Sequence, residues 1–171
     1  MKQINAIESK IVSIQDLSVR VNQLKLNGQR IVFTNGCFDI LHVGHATYLS
    51  AAKDLGDVLI VGLNTDNSVK HLNKGSDRPI NNEISRAFIL ASLTMVDYVV
   101  FFNDSNPLNL IETLIPEVLV KGGDYDPNET NASSKKYIVG SDIVRKNGGR
   151  VCIIDLVEGY STTSILQKIK S

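Results

Sequence analysis

The run from Val58 to Leu63 carries no polar side chain. A strand of that kind has no face to offer to water, so it belongs in a parallel sheet covered on both sides. Four more stretches read as strands: Ile31 to Phe33, Tyr98 to Phe102, Val118 to Val120 and Arg150 to Leu156. Between them lie segments with helical spacing. These are Ala46 to Leu55, a helix with Ile84, Ala87, Phe88, Leu90 and Ala91 on its apolar side, Leu108 to Ile115, Ile138 to Lys146, and Ser161 to Lys170. Ahead of the first strand, Ser13 with Asp16 reads as a capping box, Leu17, Val21 and Leu24 share one helical face, and Gly28 is a stop. Met1 to Ile11 give no firm pattern. Strands alternating with helices predict an α/β fold in which right-handed crossovers build one five-stranded parallel sheet.

In such sheets ligands sit at the carboxyl ends of the strands. The segment after the first strand is Thr34-Asn35-Gly36-Cys37-Phe38-Asp39-Ile40-Leu41-His42-Val43-Gly44-His45, a strand-to-helix turn. A helix start presents unpaired N–H groups and the positive end of a dipole, and Gly36 and Gly44 let a ligand approach the backbone. His42 and His45 add two imidazoles beside that anion site. A lone histidine there is as readily a cap or a packing residue, but neither a cap nor a core requires His-x-Gly-His directly after a strand and a Gly-containing turn.

Three other clusters follow predicted strands or helices: Lys121-Gly122-Gly123-Asp124-Tyr125, Ser161-Thr162-Thr163 after Gly159-Tyr160, and Lys74-Gly75-x-x-Arg78-Pro79 in a polar loop from Ser68 to Pro79. Each has a blander reading, as a strand-end turn, a helix cap and a solvated loop. Asn64-Thr65-Asp66 lies just past the second strand. Glycine turns, two histidines, lysines and helix starts, without a paired nucleophile and base, point to transfer at phosphorus by positioning and charge stabilisation. Asp39 either meets substrate or braces the turn.

Eighteen basic residues balance 18 acidic ones and no Lys/Arg block stands out, which leaves no electrostatic footprint for nucleic acid or an anionic membrane. Cys37 and Cys152 suit a reducing compartment better than a disulfide framework. No apolar run approaches the ~20 residues of a membrane span, so a cytoplasmic protein is expected. At 171 residues with 43% hydrophobic side chains, one domain is expected over 1–171, with 1–29 as a helical lead-in, 30–171 as the catalytic core, and no room for a second catalytic domain.

Phe33 to His45 resembles the nucleotide-binding motif of the cytidylyltransferase-like nucleotidyltransferases. Thr34 to Asp39 resembles the form it takes in heptose 1-phosphate adenylyltransferases, as do Val120 to Tyr125 and Gly159 to Thr163. The resemblance covers Ile31 to Ile169. It implies a Rossmann-like, doubly wound sheet of order 3-2-1-4-5. It implies transfer of AMP from ATP to D-glycero-β-D-manno-heptose 1-phosphate, giving ADP-heptose and pyrophosphate for lipopolysaccharide or a related glycan. His42, His45 and Lys121 are then catalytic. Thr34, Asn35, Gly36, Cys37, Phe38, Gly44, Gly122, Asp124, Tyr125, Ser161, Thr162 and Thr163 hold nucleotide, and Asp39, Asn64, Asp66, Lys74 and Arg78 meet the sugar phosphate. Mg²⁺ is expected with ATP, without a dedicated protein site. A homodimer and a separate sugar kinase are also implied. Two rival readings stay open: a cytidylyltransferase acting on glycerol 3-phosphate or another alcohol phosphate, and a nucleotide-binding regulatory module without turnover.

Overall fold

A computed structural model describes residues 1–72, 78–123 and 125–170 of the chain. Five parallel strands, β1 (Ile31–Gly36), β2 (Val58–Asn64), β3 (Tyr98–Phe102), β4 (Val118–Gly122) and β5 (Arg150–Ile154), form one sheet of order β3-β2-β1-β4-β5. That is the expected order, with the motif strand at the centre. β2 is buried at all of its residues, as its apolar run requires.

Alternation along the strands divides the core between the two faces of the sheet. Val32, Leu59, Val61 and Val99 point to one side, with Tyr48, Leu49 and Leu90 from α3 (Val43–Lys53) and α5 (Glu83–Ala91). Ile31, Phe33, Ile60, Val100 and Leu119 point to the other. There they meet Leu17 and Val21 of α2 (Ile14–Leu26), Ile111 of α6 (Leu108–Leu114) and Val144 of α7 (Ser141–Lys146). Ser13 caps α2 by accepting from the Asp16 N–H at 3.1 Å, half of the predicted box, while its hydroxyl also donates to the Asp16 carboxylate.

Several boundaries differ from expectation, each for a local reason. The first residues, patternless in sequence, form α1 (Lys2–Glu8), after which Ile11 pairs with Val99 on the outer edge of β3. The polar loop expected from Ser68 opens instead with α4 (Asp66–His71), which Thr65 starts by accepting from the Ser68 N–H. Residues 73–77 of that loop, with Lys74 and Gly75 of its basic cluster, lie outside the described residues. β4 runs past Val120 to Gly122, so Lys121 is a strand residue. α7 begins at Ser141, later than expected, because Gly140 breaks the backbone at φ +81°. On α5 the apolar stripe is rotated. Ile84 is 65% exposed, whereas Arg86 is buried with Ala87, Leu90 and Ala91. The closing helix, α8, spans Thr162–Lys170. Among the described residues no helix is long and apolar enough to cross a membrane.

Candidate functional site

The carboxyl ends of β1 to β4 open on a cavity of about 580 Å³. Its floor is the turn after β1. A Cβ at Gly36 would stand 3.0 Å from the Phe38 ring, so glycine is what allows that ring to fold back over the strand end. Phe38 holds a left-handed φ of +45°, a conformation that bulky residues rarely adopt. Its ring lies 5.2 Å from that of His45.

His42 heads α3 with an extended backbone, and its side chain makes no capping bond. Three residues on, His45 falls on the same helical face. The two rings stack at 3.9 Å with 22° between their planes. The Nδ1 atoms of both are buried with no hydrogen-bond partner among the described residues. Burial lowers the pKa of His42. Burial, and then the proximity of His42, push His45 down to about 4, against an opposing interaction with the Ile40 backbone. Both imidazoles are therefore neutral near pH 7, and an arriving polyanion favours their charged forms. The Val43 and Gly44 N–H groups precede the first bond of α3, which His45 donates to the His42 carbonyl at 2.9 Å, and Gly44 lines the cavity.

Across the cavity, the Lys121 Nζ donates to the Asn35 Oδ1 and stands 5.8 Å from the Tyr125 ring centroid. Beneath them Tyr48 shares a 2.7 Å hydrogen bond with the Thr34 hydroxyl, and burial pushes its phenol up to about 12, so it stays neutral. Asp39 is 3% exposed. Its carboxylate accepts from the Arg78 Nε at 2.6 Å and from the backbone N–H groups of Ile80 and Asn81 at 2.9 Å. The geometry is that of a brace on the turn. Asn64 is also committed, its amide donating to the Ser68 hydroxyl at 2.9 Å and its oxygen accepting from the Cys37 thiol at 3.8 Å.

The lining thus brings together Asn35, Gly36, Cys37, Phe38, Asp39, His42, Gly44, His45, Asn64, Arg78, Lys121, Gly122, Tyr125, Ser161 and Thr162. Three expected residues stand off it. Thr34 is fully buried against Tyr48, the Asp66 carboxylate is taken by Arg86 at 2.7 Å, and Thr163 points to solvent. Ser161 lines the cavity while capping α8, its hydroxyl accepting from the Ser164 N–H at 3.0 Å. Lys74 and Asp124 lie outside the described residues.

Sequence reasoning passed over Arg86, Asn81, Tyr48, Ser105, Asn106, Leu156 and Val157. Arg86 had a signal: it is a charge four residues before Leu90, inside the apolar stripe of α5. The others sit among ordinary turn or core residues. Among the described residues no group of three His, Cys, Asp or Glu side chains gathers to hold a metal ion. Asp39, which lines the cavity with the histidines, already accepts from three donors.

A family model described as cytidylyltransferase-like matches residues 33–168. The bifunctional protein HldE of Geotalea uraniireducens is 50% identical over 164 residues, which take in 96% of this chain and 32% of that protein. The protein of the same name from Nitratiruptor sp. is 51% identical over 164 residues, 96% of this chain and 33% of its own. This chain spans about a third of the length of these curated relatives. Among solved structures, a lipopolysaccharide core biosynthesis protein from Thermoplasma volcanium superposes with a TM-score of 0.57 at 28% identity, covering 78% of this chain and 99% of that one. A pantoate-beta-alanine ligase from Francisella tularensis, solved with ATP in its beta-gamma form and beta-alanine, shares the fold at 18% identity and a TM-score of 0.59, covering 94% of this chain and 76% of its own.

Proposed function

The chain belongs to the cytidylyltransferase-like family, and on that premise we propose that it is an adenylyltransferase making ADP-heptose from ATP and D-glycero-β-D-manno-heptose 1-phosphate. The observation that carries the reading is the stacked His42–His45 pair, with unpaired Nδ1 atoms at a helix start, facing Lys121 across one cavity. Mere binding does not need that many donors aimed at one place.

In this reading the sugar phosphate oxygen attacks the α-phosphorus in line, the bond from α-phosphorus to the bridging oxygen breaks, and pyrophosphate leaves. No general base is needed, because the attacking group is already an anion. His42 and His45 donate to oxygens of the α- and β-phosphates, where charge develops. Lys121 adds a positive charge, Tyr125 stands beside it, and Ser161, Thr162 and the start of α8 hold the phosphate tail. Arg78 and Asn64 face the acceptor side, and Asp39 holds that side to the turn; the resemblance assigns Lys74 to the same substrate. Magnesium bound to the nucleotide would supply charge neutralisation on the triphosphate, with no dedicated protein ligand assigned to it.

The choice of heptose rests on the likeness of Thr34 to Asp39, Val120 to Tyr125 and Gly159 to Thr163 to heptose 1-phosphate adenylyltransferases. About 50% identity to the HldE proteins supports it, as does the likeness to a lipopolysaccharide core biosynthesis protein. A kinase must supply the sugar 1-phosphate. We place the reaction in the cytoplasm, with residues 30–171 as its catalytic core and a homodimer as its working form. The test is pyrophosphate release from ATP and CTP against a set of sugar and alcohol phosphates. ATP with the heptose 1-phosphate is expected to turn over fastest. Faster turnover of CTP with glycerol 3-phosphate would transfer the assignment to the cytidylyltransferases, and nucleotide binding without any turnover would leave a regulatory module.

A further inference from the structure

The buried guanidinium of Arg86 has no place in the chemistry above, yet it touches the catalytic turn. It is 1% exposed. Its three nitrogens reach three separate segments: Nη1 donates to the Cys37 carbonyl at 2.6 Å, Nε to the Asn81 carbonyl at 3.0 Å, and Nη2 to the Asp66 carboxylate at 2.7 Å. Asn81 continues the chain of contacts, its backbone N–H donating to the Asp39 carboxylate and its side-chain amide to the Asp39 carbonyl at 2.6 Å. A core position that only needed filling would take leucine or methionine. A buried cation costs desolvation free energy unless every partner is in place.

The held carbonyl belongs to the residue just before Phe38, whose ring packs on His45 and whose backbone is left-handed. Extending the reading of His45 as a phosphate donor, we infer that Arg86 is a positioning residue, fixing the Cys37–Phe38 backbone so that the His45 ring is held where the transferring phosphate arrives. Only a planar fork serves that geometry. A lysine carries the same charge, but its single ammonium group cannot reach three acceptors in three directions.

The experiment is Arg86→Lys, assayed for kcat, for ATP Kd by calorimetry, for melting temperature, and for the ¹H–¹⁵N signals of the His45 imidazole. The expected result is a roughly tenfold or greater loss of kcat, an ATP Kd changed by less than about threefold, and displaced His45 signals. Wild-type kcat per folded molecule with undisplaced His45 signals overturns the inference, even if the melting temperature falls. A loss confined to ATP affinity overturns it as well. Should Arg86→Lys fail to fold, Asn81→Ala cuts the link to the Asp39 carbonyl and leaves the guanidinium buried. A lowered kcat with displaced His45 signals there supports the network, and no change in either overturns it. If the wild-type protein turns over no nucleotide with any sugar phosphate, the proposed function falls alone, because the His45 signals still decide whether Arg86 positions the ring.

Discussion

Gly44→Ala should separate stability from turnover by moving them in opposite directions. Gly44 is the second residue of α3 and its backbone is not left-handed, so alanine is compatible with the helix there. The replacement is worth up to ~1 kcal/mol in helix propensity and unfolded-chain entropy, or roughly 2–4 °C in Tm for a chain of this size. The new methyl carbon would stand 3.0 Å from the His42 Nδ1, 3.1 Å from its Cε1 and 3.3 Å from the Tyr160 Cβ. Ordinary contact begins near 3.4 Å, so the imidazole must retreat by about 0.4 Å. His42 lies stacked on His45 at 3.9 Å, so the displacement is passed to the second ring. A 1 Å misplacement costs ~10²-fold in rate, and 0.4 Å on the same logarithmic scale costs roughly five- to tenfold. The assay measures kcat, ATP Kd and Tm on one preparation. Unchanged or raised Tm with kcat lowered by that factor is expected. An unlowered kcat in the folded variant would refute the claim that the position of His42 matters to the reaction.

His45→Ala, which removes a donor outright, is expected to lower kcat by roughly 10²-fold or more with nucleotide Kd changed far less. If His45 only braced the helix start, the same variant would lose ~1 kcal/mol of stability and keep its turnover per folded molecule. Acid titration of stability gives a third test. The unfolded chain protonates His45 near its ordinary value of 6.5, whereas the folded chain resists until about pH 4. Its contribution is therefore intact above pH 6.5 and lost as the pH falls from 6.5 to 4. His45→Gln should flatten that part of the profile in denaturant melts, and an unchanged slope would contradict the depressed value. Gly56→Ala tests packing at the opposite end of the sheet. There a Cβ would meet the Val32 Cγ2 at 2.7 Å and the Arg30 carbonyl at 2.8 Å. A loss of ~1–3 kcal/mol is expected in urea melts, with kcat per folded molecule intact.

The strands were legible because their signal is local. Val58 to Leu63 and Tyr98 to Phe102 are apolar runs between turn residues, and both appear with at most a one-residue change. The His42–Gly44–His45 cluster was legible for the same reason, since donors and helix start are adjacent in sequence. What periodicity could not show was partnership at long range. Asp39 and Asp66 look alike as carboxylates after strands, yet one is fastened to Arg78 across 39 residues and the other to Arg86 across 20. Thr34 reads as a motif residue, but alternation along β1 turns it inward toward Tyr48. The rotation of the α5 stripe followed from a choice between Ile84 and Arg86 that hydrophobicity decides wrongly, because the guanidinium finds three acceptors in the interior.

The pairing of residues 10–12 with β3 has a consequence for self-association. A parallel sheet ends in strands whose outer N–H and C=O groups are templates for another chain. On the β3 side that template is occupied at Val99, which accepts from the Val12 N–H at 3.0 Å and donates to the Lys10 carbonyl at 2.9 Å. The Lys10 ammonium is tied back to the Val96 carbonyl at 2.8 Å and the Leu93 carbonyl at 3.3 Å. The segment beneath is Tyr-Val-Val-Phe-Phe, rich in the residues that favour strands and free of charge and proline. Removing residues 1–12 should leave that rim bare and drive edge-to-edge aggregation, visible as time-dependent light scattering at concentrations where the full chain stays clear. The N-terminal residues thereby act as a built-in guard strand, whatever precedes or accompanies the chain in the cell.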